Sequence, residues 1–414
     1  MTMINKMIGA ISIYRGLSSN IYFIAIARFI LGLGNFILPF MMLLLTEKLD
    51  YSVIIAGSLT MGVTGSYFIG SILGGKFSDS MGHKRVLVFG ELVGSLILIV
   101  CGFFVYNPIV IPLFLFGTYF FFGLALPASN ALVADLSNHR NRDAVMSLSY
   151  LAFNLGSAVG PLLAGYLFWS YTSWIFWGNG LAALIGILTV LFGVNSSVKE
   201  RGTCQTQLLN IELEKPVIGT VWTVLSERPR IIFFTFFCSL MWVVMNQMTM
   251  ASPLYLNYIF DTHGPILFGQ LCTFSCLVVV AITPILMKLT ASKSDIISLA
   301  YSSVIFAVGY LVVMSSPTIP MQFIAWFFLS AGEILLYTKE GIYLANQSPK
   351  SHRGRIQSFS TCMRNILLMP SFVLIGFTID KFGYQYTWLL IVSIAMLAAF
   401  GFMAMDKKYE SLRT

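Results

Sequence analysis

Twelve long apolar runs, separated by short polar stretches, constrain this chain more than any other feature. About 20 apolar residues make a helix long enough to cross the hydrocarbon of a bilayer. Such a helix satisfies its own backbone amides, which lipid cannot do. The runs fall at 21–45, 54–74, 86–105, 109–133, 146–168 and 172–194, then at 231–259, 266–289, 296–315, 319–340, 357–378 and 386–405. Of the 414 residues, 57% are hydrophobic and only 10% charged, whereas a soluble domain carries about 25% charge. The fold class expected is an all-α integral membrane protein with 12 transmembrane helices.

A net charge of +8 invites a nucleic-acid partner, but the distribution of that charge argues against one. Of 25 Lys and Arg, only Lys48 and Lys381 fall on one side, and Arg28 and Arg364 lie deeper in spans; the other 21 mark the opposite side. Cationic loops stay in the cytoplasm. The asymmetry therefore orients the chain in the cell inner (plasma) membrane, with both termini cytoplasmic: Lys6 and Arg15 at the start, Lys407 and Lys408 at the end. Membrane lipid is the expected surrounding and a monomer the expected state. No short, cleavable signal peptide is expected before the first span. The six cysteines are scattered without a Cys-x-x-Cys pair, and Cys272 and Cys276 read as packing on one helix face. Neither metal nor cofactor is expected. Without a phosphate-cradling loop or a clustered nucleophile, an enzyme is not expected either, and an ion gradient is the expected drive.

The two halves echo each other. Ser147-x-Ser149-x-x-x-x-Asn154 recurs as Ser358-x-Ser360-x-x-x-x-Asn365, a shift of 211 residues, and His139-Arg140-x-Arg142 and His352-Arg353-x-Arg355 precede the two copies. Parallel repeats of this kind imply two six-helix pseudo-repeat bundles. Residues 1–194 form the first and 231–414 the second. The polar stretch 195–230 is the expected cytoplasmic linker, with 217–225 as a surface helix.

The richest motif is Gly75-Lys-Phe-Ser-Asp79-Ser-Met-Gly82-His-Lys84-Arg85-Val-Leu87, read as a tight turn between the second and third spans. Gly75 and Gly82 suit close backbone approach or positive φ there. Gly75, Asp79, Gly82, Lys84, Arg85 and Leu87 match the loop between helices 2 and 3 of the major facilitator superfamily, which this chain resembles. Ser80 stands where that family usually has Arg. The resemblance implies the major facilitator fold, a small-molecule substrate and a conformational-switch role for the loop, with Asp79 pairing near helix 11. The fifth span carries Gly156-x-x-x-Gly160-Pro161-x-x-Ala164-Gly165. By itself this is a flat packing face with a proline bend. It also resembles the helix-5 motif of drug:proton antiporters. The fourth span lacks the Arg common in that group and ends in Asp135, expected to pair with Arg140 or Arg142.

Ionisable groups within spans are costly and usually functional. Arg28, Glu333 and Arg364 fall at similar depth, roughly 10 Å in at 1.5 Å per residue, and suggest one polar layer. Glu91 reads as a partner for Lys84 and Arg85. The resemblance places spans 1, 4, 7 and 10 at a central cavity and makes Glu333, after Gly332, the expected proton-coupling acid beside Arg364 or Arg28. Asn35, Met41, Asn246, Met248 and Tyr337 are expected cavity liners. Export of amphipathic or drug-like compounds in exchange for protons is the function expected. Proton-coupled uptake of a small nutrient and lipid translocation are the alternatives on the same fold.

Overall fold

The computed structural model describes residues 16–137, 141–194, 225–226, 228–315, 317–347 and 353–410. Their regular elements are all helical. The chain runs α1 (Ser19–Leu33), α2 (Ile37–Glu47), α3 (Val53–Met81), α4 (His83–Cys101), α5 (Val110–Asp135), α6 (Arg142–Leu167) and α7 (Thr172–Gly193). It continues with α8 (Pro229–Asn246), α9 (Ala251–Phe260), a 3-10 turn (Asp261–His263), α10 (Gly264–Thr290), α11 (Asp295–Ser315), α12 (Ile319–Gln347) and α13 (Arg353–Glu410). Within α13, Gly383 at φ 79° and ψ 176° interrupts the helix and separates two segments.

Among the described residues, nine helical stretches are long and apolar enough to cross a membrane. Two of these, Pro229–Thr290 with 62 residues and Arg355–Asp406 with 52, exceed the roughly 20 residues that one crossing needs. The 19-residue α4 carries Lys84, Arg85 and Glu91, which dilute its apolar character. Most of the expected linker, including 217–224, lies outside the described residues.

Three expectations change. The first span is two helices, because the chain breaks at Gly34–Phe36 and the freed Ile37 amide donates to Asn179 Oδ1 at 3.3 Å. The seventh span breaks likewise between Asn246 and Ala251. There Asn246 Nδ2 donates to the Trp242 carbonyl at 3.1 Å and Gln247 Nε2 to the Val243 carbonyl at 2.9 Å. Polar side chains that take backbone carbonyls in this way compete with helix continuation. Third, the expected turn over 75–87 is almost entirely helix. Only Gly82 separates α3 from α4, and its φ of 91° turns the chain in one residue. Gly75 sits in α3 with no atom within 4 Å of where its Cβ would stand, so close approach is not its role in this state.

Contacts divide the chain into two compact units. The first holds the described residues of Met1–Tyr51, Leu59–Cys204 and Phe260–Thr273, the second those of Ser52–Ser58, Gln205–Ile259 and Phe274–Thr414. The internal repeat is expressed as one hydrogen bond made twice. Asn154 Nδ2 donates to the Tyr150 carbonyl at 2.8 Å, and Asn365 Nδ2 to the Thr361 carbonyl at 2.9 Å.

The glycine motif of the fifth span works on two faces of α6, both inside the first unit. A Cβ on Gly156 would stand 2.6 Å from the Leu33 amide nitrogen, and one on Gly160 2.9 Å from the Leu33 carbonyl oxygen, so α6 meets α1 backbone to backbone. On the other face, a Cβ on Gly165 would stand 2.5 Å from the Pro265 carbonyl. Gly269 of α10 likewise approaches the Pro161 carbonyl, and Thr273 Oγ1 donates to the Ala158 carbonyl at 2.5 Å. Backbone cannot retreat as a side chain can. In the second unit, the first turn of α3 is held similarly: Gly376 abuts the Val53 carbonyl, and Asp380 Oδ2 accepts from the Ile54 amide at 3.1 Å. A carboxylate is favoured at an exposed helix N-terminus.

Gly156→Leu should therefore destabilise the protein by about 1–3 kcal/mol or more, the usual cost of overpacking, while Gly75→Ala should leave it unchanged. Thermal unfolding of the purified variants in detergent checks both; equal stability would mean that α1 and α6 are not in backbone contact.

Candidate functional site

Helix-forming apolar sequence places few ionisable groups inside spans, so the partners of those few define what the interior can do. In the first unit, Arg28 on α1 donates through Nη2 to Asn130 Oδ1 on α5 at 2.9 Å. Glu91 on α4 and Tyr67 on α3 lie within electrostatic reach of the guanidinium, whose Nε is buried without a hydrogen bond. The Glu91 carboxylate thus acts on Arg28 across the bundle. Lys84, its expected partner, donates to the Leu191 and Val194 carbonyls at 2.9 and 2.6 Å and closes the C-terminal end of α7. Beside Arg28 a cavity of about 10 Å³, lined by Leu31, Leu87, Ser129 and Gly186, has room for about one water. It is too small for a substrate.

The second unit holds the denser cluster, on α8, α12 and the first segment of α13. Trp242 Nε1 donates to Glu340 Oε2 at 2.7 Å, and Ser360 Oγ donates to Oε1 at 3.1 Å. The Arg364 guanidinium carbon stands 4.0 Å from the centre of the Trp242 ring, and its Nη2 is 3.8 Å from Glu340 Oε1. Tyr337 meets Trp242 edge-on at 4.7 Å and is itself exposed. Asn246 is half-buried at the α8 break, and Met248 is buried just beyond it.

Glu333 has no hydrogen bond or ion pair among the described residues. It is half-buried, with Cys276 on α10 and Tyr310 on α11 within electrostatic reach. Within the second unit the described residues show no ion pair between Glu333 and Arg364, which stands beside Glu340 instead; Arg28 belongs to the first unit, where its described partner is Asn130. Glu340, which takes Arg364, escaped the sequence reading because the tenth span was ended at residue 340. In the structure α12 runs on to Gln347 and carries Glu340 two turns inside, on the same face as Glu333. A Lys339-Glu340 pair reads as a helix exit, yet Lys339 is itself buried and pairs with Asp295 at 3.3 Å. The signal available was the seven-residue spacing from Glu333 to Glu340, nearly two helical turns.

Of the switch-loop residues, Asp79 and Arg85 are exposed, and Asp79 makes no hydrogen bond or ion pair among the described residues. The contact across the turn runs instead through His83, whose Nδ1 meets Ser78 Oγ and whose Nε2 lies 3.5 Å from Asp135 Oδ2. That is a described partner for Asp135; Arg140 and the side chain of Arg142 lie outside the described residues. Asn35 sits half-buried at the α1–α2 break, and Met41 is buried in α2. Among the described residues no three His, Cys, Asp or Glu converge as metal ligands.

Described residues that are helical throughout their regular elements, with nine stretches long and apolar enough to cross a membrane, define a multi-pass membrane protein. Residues 24–369 match the family model of the Major Facilitator Superfamily, and the chain belongs to that family. It is 20% identical over 366 residues to the Na(+), Li(+), K(+)/H(+) antiporter of Planococcus maritimus, covering 82% of this chain and 85% of that one. With the uncharacterized MFS-type transporter YttB of Bacillus subtilis it shares 22% identity over 387 residues, 92% of this chain and 93% of that one. The crystal structure of the nucleoside transporter NupG aligns with a TM-score of 0.76 at 13% identity, over 94% of this chain and 98% of that one, a likeness of fold. The protein is a transporter of small molecules and not an enzyme.

The Arg28–Asn130 contact yields a stability test. Asn130→Leu removes the Arg28 acceptor and should cost about 1.5–3 kcal/mol, the value of a hydrogen bond to a charged group. Asn130→Asp, which offers a carboxylate, should restore it. Thermal unfolding in detergent reads both, and a silent Asn130→Leu would mean that Arg28 needs no partner there.

Proposed function

We propose that the protein is a proton-coupled secondary active transporter that exports amphipathic or drug-like small molecules, cations foremost, by alternating access. In this reading 12 spanning helices form two six-helix bundles, 1–194 and 231–414, joined by a cytoplasmic linker at 195–230. The protein works as a monomer in the inner membrane with both termini in the cytoplasm. The observation that carries the reading is Glu333, an intramembrane carboxylate without a hydrogen bond or ion pair among the described residues. A carboxylate in a low-dielectric interior must be neutralised, and here a proton or a cationic substrate can do it. Protons and cations then compete, which is the requirement for exchange. The Gly156–Gly165 motif on α6 supports export over uptake, and the cation/proton antiporter among the relatives supports exchange.

Glu333→Gln cannot ionise. It should abolish accumulation of a cationic dye in inside-out vesicles with an imposed acid-inside gradient, while downhill movement of neutral compounds survives in part. Wild-type accumulation in the variant would remove Glu333 from the coupling. Asp79 has no hydrogen bond or ion pair among the described residues, so in this reading its pairing belongs to the other end of the transport cycle. Asp79→Asn should leave thermal stability within about 0.5 kcal/mol and shift spin-label distances across the cytoplasmic side; unchanged distances would refute a switch role.

A further inference from the structure

The way Arg364 is held differs from an ordinary buried ion pair. Arginine and carboxylate in a structural pair frequently meet bidentately, with two short parallel hydrogen bonds. Here one Nη2 stands 3.8 Å from one Glu340 oxygen, too far for a hydrogen bond. The guanidinium donates no hydrogen bond among the described residues, and its Nε is buried without a partner. What the cation does have is the face of Trp242 at 4.0 Å. Arginine favours such stacking because its cation is flat, delocalised and weakly hydrated.

The carboxylate, by contrast, is fixed from both sides. Trp242 Nε1 holds Oε2 and Ser360 Oγ holds Oε1, and Glu340 is buried while the edge-on Tyr337 ring is exposed. The receptor is thus more completely built than the attachment of the group that fills it. A preorganised anion beside an aromatic face is the arrangement that recognises organic cations.

We propose that Trp242, Tyr337 and Glu340 form a seat for flat, delocalised organic monocations of the amidinium, guanidinium or aromatic-dye type, and that the Arg364 side chain is a tethered occupant which such a ligand displaces. The seat lies wholly within the second unit and rests on the export reading for its substrate class. Arg364 keeps the site neutral when empty of ligand, so the membrane interior never holds a bare Glu340 charge. It also sets a selectivity threshold: a ligand must stack and pair better than a loosely held guanidinium.

The test is equilibrium binding of ethidium to the purified full-length protein in detergent, with benzamidinium and its neutral isostere benzamide as competitors. Benzamidinium should displace ethidium at concentrations about tenfold below those benzamide needs, and Glu340→Gln should weaken ethidium by a similar factor. Arg364→Ala empties the seat and should tighten ethidium about tenfold. Arg364→Lys retains the charge for folding but cannot stack flat, and should tighten it in the same direction. Equal competition by benzamide, or ethidium affinity unchanged or weaker in both Arg364 variants, would overturn the seat. Binding in detergent needs no gradient. Intact binding without dye pumping would sink the export reading alone, and pumping with unaltered affinity in the Arg364 variants would sink the seat alone.

Discussion

A charge placed in hydrocarbon must find its partner inside the protein, at a cost of about 2.5–3.5 kcal/mol at a helix centre when it does not. Each unit meets that demand with its own cluster. Arg28 turns to Asn130, within reach of Glu91 and Tyr67. Glu340 gathers Trp242, Ser360 and Arg364. Each cluster joins helices of one unit: α1 to α5 in the first, and α8 to α12 and α13 in the second. The repeat that appears in the sequence as Ser-x-Ser and a distant Asn appears in the structure as one side-chain hydrogen bond made twice, by Asn154 and by Asn365. Glu333, by contrast, has no hydrogen bond or ion pair among the described residues, and the proposed coupling rests on that.

Close backbone contact is the second constraint. Helices gain little hydrophobic energy by associating in lipid, so they rely on small residues that bring backbones together. Gly156 and Gly160 set α6 on α1, and Gly165 and Gly269 set α6 on α10. In the second unit Gly57 and Gly376 join the start of α3 to α13, with Asp380 on the Ile54 amide.

The family, the helical class and the burden of intramembrane charge were legible in the sequence because each is written in residue type and spacing. Six residues of the Gly75–Leu87 motif identified the family, and Gly82 alone makes the turn. The helix breaks at Gly34–Phe36 and after Asn246 were hidden, since a run of apolar residues looks the same whether its helix is whole or broken. Glu340 was hidden for a related reason: hydropathy ends a span at the first charged pair, whereas the helix ends where its hydrogen bonds do. Which charges pair was not legible at all. Arg28, Glu333 and Arg364 share a depth, but partners are chosen by helix face and neighbour. The structure sets Arg364 beside Glu340 and shows no ion pair of Glu333 among the described residues.

Glu333 and Glu340 lie seven residues apart on α12, about 10 Å along the helix. At the effective dielectric of a protein interior, two unit charges at that distance interact by about 1–2 kcal/mol. On the proposed reading, a cation that takes the seat leaves the displaced, tethered Arg364 charge nearby, so the cluster gains one positive charge that opposes a proton on Glu333. The direct measurement is proton release on ligand binding. Ethidium is added to the purified wild-type protein in weakly buffered detergent solution while a pH electrode records. The account predicts acidification that tracks the dye bound; binding with no release of protons would contradict it.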